Sequence, residues 1–249
     1  MRIMKTFKKL PAFIMIFAML FGVLPMLNNG ITAKASSNPV KLYSADHMYG
    51  RYSYTSHDIY IQVDARSAAT KKVDVHYKSY NDVWLDAEAA FVTKLDDNTE
   101  IWKASFGGNG LSGEYAIRYE GDGNTYWDNN NGNNYTSAYC LGEANIKAMR
   151  LKYQSAQNYT IQAAVKNLAY NKIVKVRYTE DNWATWHDVN LNYDSAISGT
   201  NSEIWNVTLN LDSDKRTSFH YCLCYQVNGQ TYWDNNFGAN YDFYFSNSY

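Results

Sequence analysis

The chain's 249 residues carry 23 Lys and Arg against 24 Asp and Glu, a formal net charge of −1 that gives no support to a nucleic-acid partner. Three cysteines declare no disulfide framework. The 23 tyrosines exceed what a core of this size would select, so many of them face solvent or a ligand.

Read from the start, Arg2, Lys5, Lys8 and Lys9 precede an apolar run from Leu10 to Leu27, and Ala33-Lys34-Ala35 follows it. That order is the pattern of a secretory signal peptide, cleaved after Ala35. The run approaches the length of a membrane anchor, but the small-residue site behind it favours cleavage, so no retained membrane span is expected. Losing residues 1–35 removes five basic residues and no acidic one, which moves the net charge from −1 to −6. The remainder is the length of two domains of about 100 residues.

An internal repeat organises that remainder. Tyr126-Trp127-Asp128-Asn129-Asn130-Asn131-Gly132-Asn133-Asn134-Tyr135 returns 106 residues later as Tyr232-Trp233-Asp234-Asn235-Asn236-Phe237-Gly238-Ala239-Asn240-Tyr241. Tyr115 to Tyr119 likewise corresponds to Tyr221 to Tyr225, Glu100-Ile101-Trp102 to Glu203-Ile204-Trp205, and Val73 to Tyr77 to Val174 to Tyr178. The expected organisation is therefore a signal peptide (1–35) and two copies (36–143 and 144–249), joined near Leu141-Gly142-Glu143-Ala144-Asn145 by a stretch too short to be a flexible linker.

Period 2 dominates each copy. Val174, Val176 and Tyr178 alternate with Lys175 and Arg177, Trp205, Val207 and Leu209 with Asn206 and Thr208, and Phe219, Tyr221, Leu223 and Tyr225 with His220, Cys222 and Cys224. These are half-buried antiparallel strands, and turn-rich pieces such as Ser198-Gly199-Thr200-Asn201 separate them. The expected fold class is all-β, two tandem immunoglobulin-like antiparallel sandwiches. Trp84, Trp102, Trp186 and Trp205 read as core. Cys222 and Cys224 share a face where a mutual bridge would be strained, which leaves three unreactive thiols or a bridge from Cys140 to one of the pair.

The composition of possible sites disfavours catalysis. Asp128 and Asp234 supply one carboxylate per copy where glycoside cleavage needs two, and the chain has no Gly-x-Ser-x-Gly elbow and no phosphate loop. No metal is expected: the cysteine spacing does not suit zinc, and the loop beginning Asp128-x-Asn130 has Tyr139 where calcium needs a bidentate acid. The amides and glycine of the repeated loop either build the loop or read a ligand. The neighbouring indole favours a ligand, because the C–H face of a glucose ring stacks on it while paired hydroxyls meet an amide.

Val165-Lys166-Asn167-Leu168-Ala169-Tyr170-Asn171-Lys172, Val174 to Thr179, Asp181-Asn182-Trp183 and the closing Tyr232 to Tyr241 resemble carbohydrate-binding module family 21. The resemblance spans the second copy, and the first copy looks like a divergent member. It implies a module without catalytic activity or cofactor that binds starch, glycogen or a related α-glucan, and the leading pattern makes the protein secreted; the alternatives are an accessory to a separate amylolytic enzyme or an adhesive surface protein whose aromatic face meets another protein. One site would hold Trp183 and Trp233 as stacking rings with Asn235 and Asn240 reading hydroxyls. The other would hold Tyr170 and Tyr193 with Asn167, Lys172 and Glu203. In the first copy Trp127, Asn129 and Asn134 correspond to half of the first site, with Tyr80 as the nearest replacement for Trp183. There Ala69 stands at the place of Tyr170, which removes the second site.

Overall fold

The alternating residues form antiparallel strands throughout residues 38–49, 55–96, 98–107, 111, 113–150 and 158–245, which are those described by this computed structural model. No α-helix occurs among them, and the expected signal peptide lies outside them. The first half contributes β1 (Val40–Tyr49), β2 (Thr55–Asp64), β3 (Lys71–Lys78), β4 (Trp84–Glu88), β5 (Ala90–Asp96), β6 (Thr99–Gly107), β7 (Glu114–Gly121), β8 (Asn124–Asp128), β9 (Tyr135–Thr136) and β10 (Cys140–Leu141). The second contributes β11 (Ile146–Met149), β12 (Asn158–Lys166), β13 (Lys172–Thr179), β14 (His187–Asn190), β15 (Asn192–Ile197), β16 (Ser202–Asn210), β17 (His220–Val227), β18 (Gln230–Asp234) and β19 (Tyr241–Asp242).

Each half is built from two sheets. Orders β10-β1-β2-β6-β5 and β4-β3-β7-β8 make the first half, and β11-β12-β16-β15 and β14-β13-β17-β18 make the second, with β9 and β19 added on β7 and β17. Leaving β10 aside, the two sets of connections correspond strand for strand. The inner faces meet in two cores: Ile59, Ile61 and Val63 with Val73, Val75 and Ile117, and Ile161, Ala163 and Val165 with Val174, Val176 and Leu223. Each such aliphatic side chain contributes about 1.5–3 kcal/mol by leaving water.

Strand β17 departs from the expected half-buried pattern, because Cys222 and Cys224 are buried as well as Tyr221, Leu223 and Tyr225. Cys224 is paired with Trp233 and Cys222 with Arg177, so large side chains of β18 and β13 roof the outer face there. All three cysteines are free thiols. Burial pushes the Cys222 thiol up to about 11, so little thiolate forms near neutrality, and thiolate is the reactive species. Timed alkylation at pH 8 should therefore label Cys222 far more slowly in the native protein than in urea, and equal rates would contradict this packing.

The junction between the halves runs along β1. Strand β10, at the end of the first half, pairs with β1, the Glu143 and Ala144 N–H groups donate to the Leu42 and Tyr43 carbonyls, and a Cβ on Gly142 would clash with the Leu42 oxygen. Only a residue without a side chain fits that approach. Tyr139, Leu141, Ala144 and Ala164 form a small apolar cluster there. Beyond it, Arg150 donates to Asp58 at 2.9 Å, and Phe237 lies 5.2 Å from the Tyr60 ring and 5.6 Å from that of Tyr43.

Candidate functional site

Lys172 opens β13 in the inward phase of Val174 and Val176, and Glu203 stands near the start of β16 in the inward phase of Trp205 and Val207. Both charges are thus aimed into the end of the second sandwich. They satisfy each other there: Lys172 Nζ lies 2.8 Å from Glu203 Oε2 and donates to Asn167 Oδ1 at 2.6 Å, while Trp205 Nε1 donates to the same Glu203 oxygen at 3.0 Å. The lysine side chain is 3% exposed. Such a pair survives burial because its members are also hydrogen-bonded.

Above this polar floor opens a cleft of about 610 Å³ lined by Asn167, Ala169, Tyr170, Lys172, Tyr193, Glu203 and Trp205. All five residues expected at the second site therefore share one cavity. Tyr170, in the loop between β12 and β13, is 96% exposed, and Tyr193 is 55% exposed. Tyr193 meets the Trp205 indole edge-on at 5.9 Å, and the β15 register slips just after it, between Tyr193 and Ser195. A bulge of this kind re-aims a side chain. Trp205 was expected in the core; it does pack against the core edge, but its other side is a wall of the cleft. Two phenol faces can stack on the C–H face of a sugar, and the fixed carboxylate and ammonium can take its hydroxyls.

The residues expected at the first site are distributed differently. Trp233 lies on the outer face of β18 beside Arg177, whose guanidinium is 5.3 Å from its ring and 5.7 Å from that of Trp186. Arg177 is held in place by a double contact with Asp188 at 2.7 and 2.8 Å. Trp186 is 57% exposed and Trp84 40% exposed, which corrects their assignment to the core. They stand at or just before the edge strands β14 and β4, where neither face of the sheet is fully covered. Trp183 is half-buried in the turn after β13, at φ 70°, with its N–H donating to Thr179 Oγ1. Trp233 has its ring contact with Arg177 rather than with Trp183.

Asp181 organises that turn. Its carboxylate accepts from the Thr185 N–H and hydroxyl and from Thr179, and these hydrogen bonds lower its pKa to about 2. A depressed carboxylate stabilises the fold above the unfolded value near 4 and loses that contribution as pH falls through the folded one. The Trp183 turn should hold at pH 3.5 and open towards pH 2. Indole chemical shifts would show this, and an unchanged Trp183 signal across that interval would refute it.

In the closing loop the amides serve the backbone. Asn129 and Asn235 Oδ1 each accept from the glycine N–H three residues on at 3.0 Å, and Asn130 and Asn236 Nδ2 donate to the carbonyls of Asn134 and Asn240. Asn134 Nδ2 donates to Glu114, and Asn240 lines a polar hollow with Arg150 and Tyr244. Positions 130, 131, 134, 236, 237 and 240 all have φ between 51° and 59°, which favours asparagine. Asp128 and Asp234 anchor the loops by accepting from Tyr135 and Tyr241 and from the backbone N–H groups of Leu42 and Ala148.

In the first half Trp127 meets His76 edge-on at 5.6 Å, and His76 stacks on Trp84 at 4.8 Å. The indole gathered with Trp127 through His76 is thus Trp84, while Tyr80 is exposed in the turn between β3 and β4. Around Lys71 and Glu100 the floor of the second-half cleft recurs: Lys71 Nζ lies 3.3 Å from Glu100, Trp102 Nε1 donates to Glu100 at 3.2 Å, and Phe91 meets Trp102 edge-on at 5.8 Å. Among the described residues no three His, Cys, Asp or Glu side chains gather as a metal site.

Known proteins resemble part of this chain. The family described as Carbohydrate/starch-binding module (family 21) matches residues 141–244. Protein phosphatase 1 regulatory subunit 3C of Bos taurus is 34% identical over 92 residues, covering 35% of this chain and 29% of that protein. Glucoamylase 1 of Rhizopus oryzae is 39% identical over 80 residues, covering 31% of this chain and 13% of the enzyme. The chain thus spans less than a third of the length of these relatives. A solved structure of the starch-binding domain of Rhizopus oryzae glucoamylase, in complex with β-cyclodextrin and maltoheptaose, is 28% identical with a TM-score of 0.34, covering 40% of this chain and 92% of that one. The cleft of Tyr170, Tyr193 and Glu203 falls inside residues 141–244, the segment that matches the family.

Proposed function

We propose that this is a secreted, non-catalytic binder of α-glucan, acting through two tandem modules at residues 36–143 and 144–249. The observation that carries this reading is the second-half cleft, where two exposed tyrosines stand over a carboxylate already fixed by Lys172 and Trp205. A sugar ring laid on Tyr193 or Tyr170 would present hydroxyls to Glu203 and to the remaining N–H of Lys172. Trp233 and Trp183 offer further stacking surface, with Asn235 and Asn240 nearby in sequence. Trp127, Asn129, Asn134 and Tyr80 are the corresponding contributors in the first half. Secretion rests on the leading sequence pattern.

An affinity gel cast with amylopectin, glycogen, cellulose or xylan tests the reading. Retardation by amylopectin and glycogen alone is expected. Equal migration in all four gels would end it. Because neutral sugar carries no counterions, raising salt from 50 to 500 mM should alter affinity less than twofold. A steep loss with salt would point to a charged polymer instead.

A further inference from the structure

The floor of the second-half cleft has a counterpart that the family match, which begins at residue 141, does not reach. In the first half Lys71 opens β3 as Lys172 opens β13, and Glu100 precedes Trp102 on β6 as Glu203 precedes Trp205 on β16. Both lysines are nearly buried, and each donates to its glutamate and to one uncharged oxygen: Asn167 Oδ1 in the second half, the Ala65 carbonyl at 2.9 Å in the first. Each tryptophan donates Nε1 to that glutamate. The aromatic partner meets the indole at 82° in both, Phe91 at 5.8 Å and Tyr193 at 5.9 Å, and the strand register slips directly after it in both.

Holding a carboxylate and an ammonium nearly buried at the end of a sandwich is costly, and a fully apolar end would avoid the cost. That the whole arrangement is present twice, with its bulge and an exposed aromatic beside it, gives it a use besides closing the core. The difference lies at one place: Tyr170 is almost fully exposed over the second cleft, whereas the exposed Ala69 stands there in the first.

We propose that Phe91, Trp102, Glu100 and Lys71 form a second glucan site, weakened by the missing ring at Ala69. This rests on the reading of the protein as an α-glucan binder. Phe91 supplies the stacking face and Glu100 the hydroxyl acceptor. The first half is thereby a working contributor to polymer capture with a lower affinity for each sugar.

The test uses the full chain carrying Tyr170→Ala, Tyr193→Ala and Trp233→Ala, titrated with maltoheptaose by calorimetry. Weak residual binding is expected. Adding Phe91→Ala should reduce it, and adding Ala69→Tyr should strengthen it, each by ~3–10-fold, the scale of one aromatic contact. Ala69→Tyr adds a side chain at an exposed position, so a gain cannot come from misfolding, and the thermal transition of each variant checks that the fold is kept. No residual binding, or residual binding unmoved by both changes, overturns the site while the unsubstituted protein still binds. If the unsubstituted protein binds no glucan, the functional reading itself has failed.

Discussion

Asp234→Ala lowers stability by about 3–5 kcal/mol, the usual cost of breaking a buried ion pair by removing one partner. Lys147 and Asp234 lie 3.1 Å apart with side chains 5% and 7% exposed. The carboxylate also accepts from the Ala148 N–H at 2.6 Å and the Tyr241 hydroxyl at 2.7 Å. Truncation therefore orphans a backbone donor and strands an ammonium between the rings of Tyr60, Phe237 and Tyr241. Those rings soften the loss without replacing the anion. Because Tyr60 belongs to the first half, the damage extends to the contact between halves. Urea unfolding would measure the loss, and Lys147→Met added to Asp234→Ala should recover part of it by removing the uncompensated charge. A loss below about 1 kcal/mol would mean that the pair is not shielded from water as described.

The other large effect is on binding. Tyr170→Ala with Tyr193→Ala should weaken maltoheptaose binding to the second-half cleft by about 10–100-fold, or ~1.4–2.7 kcal/mol, as removal of two anchoring rings does elsewhere. Both rings are exposed and neither side chain belongs to the core, so the fold should be unchanged. Asn235→Ala should mainly loosen its loop, because its oxygen holds the Gly238 N–H. Calorimetry on the three proteins separates the two roles. Undiminished affinity in the double variant would remove the cleft from the function.

The strands were readable because their alternation is local. Val174, Val176 and Tyr178 announce β13 whatever surrounds them, and the paired repeats announce two sets of similar sheets. What alternation could not disclose is how the outer faces are covered. Cys222 and Cys224 are buried because Arg177 and Trp233 arrive from neighbouring strands, and Trp84 and Trp186 are exposed because they sit at sheet edges, which is a property of strand order. The asparagines of the closing loop carry two roles that alternation does not separate. Their side chains suit sugar hydroxyls and positive-φ turns equally well, and the turn geometry is visible only once the φ values are. Lys71 and Glu100 mirror Lys172 and Glu203 although the ring is lost at Ala69, and the signal for them in the sequence is the repeated Glu-Ile-Trp.

The Leu42 carbonyl pressed against Gly142 bears on how such a protein can be taken apart. A recognition unit ordinarily invites transplantation: its gene segment is lifted, fused elsewhere and still folds. Here the segment that matches the family starts at Leu141, whose strand partner is Ser44 of β1, outside that segment, and Glu143 and Ala144 lend their N–H groups to Leu42 and Tyr43. A cut at that position severs a seam rather than a tether. Any side chain at position 142 would also force the seam open, because its Cβ would meet the Leu42 carbonyl. The two halves are thus best engineered as a single cassette.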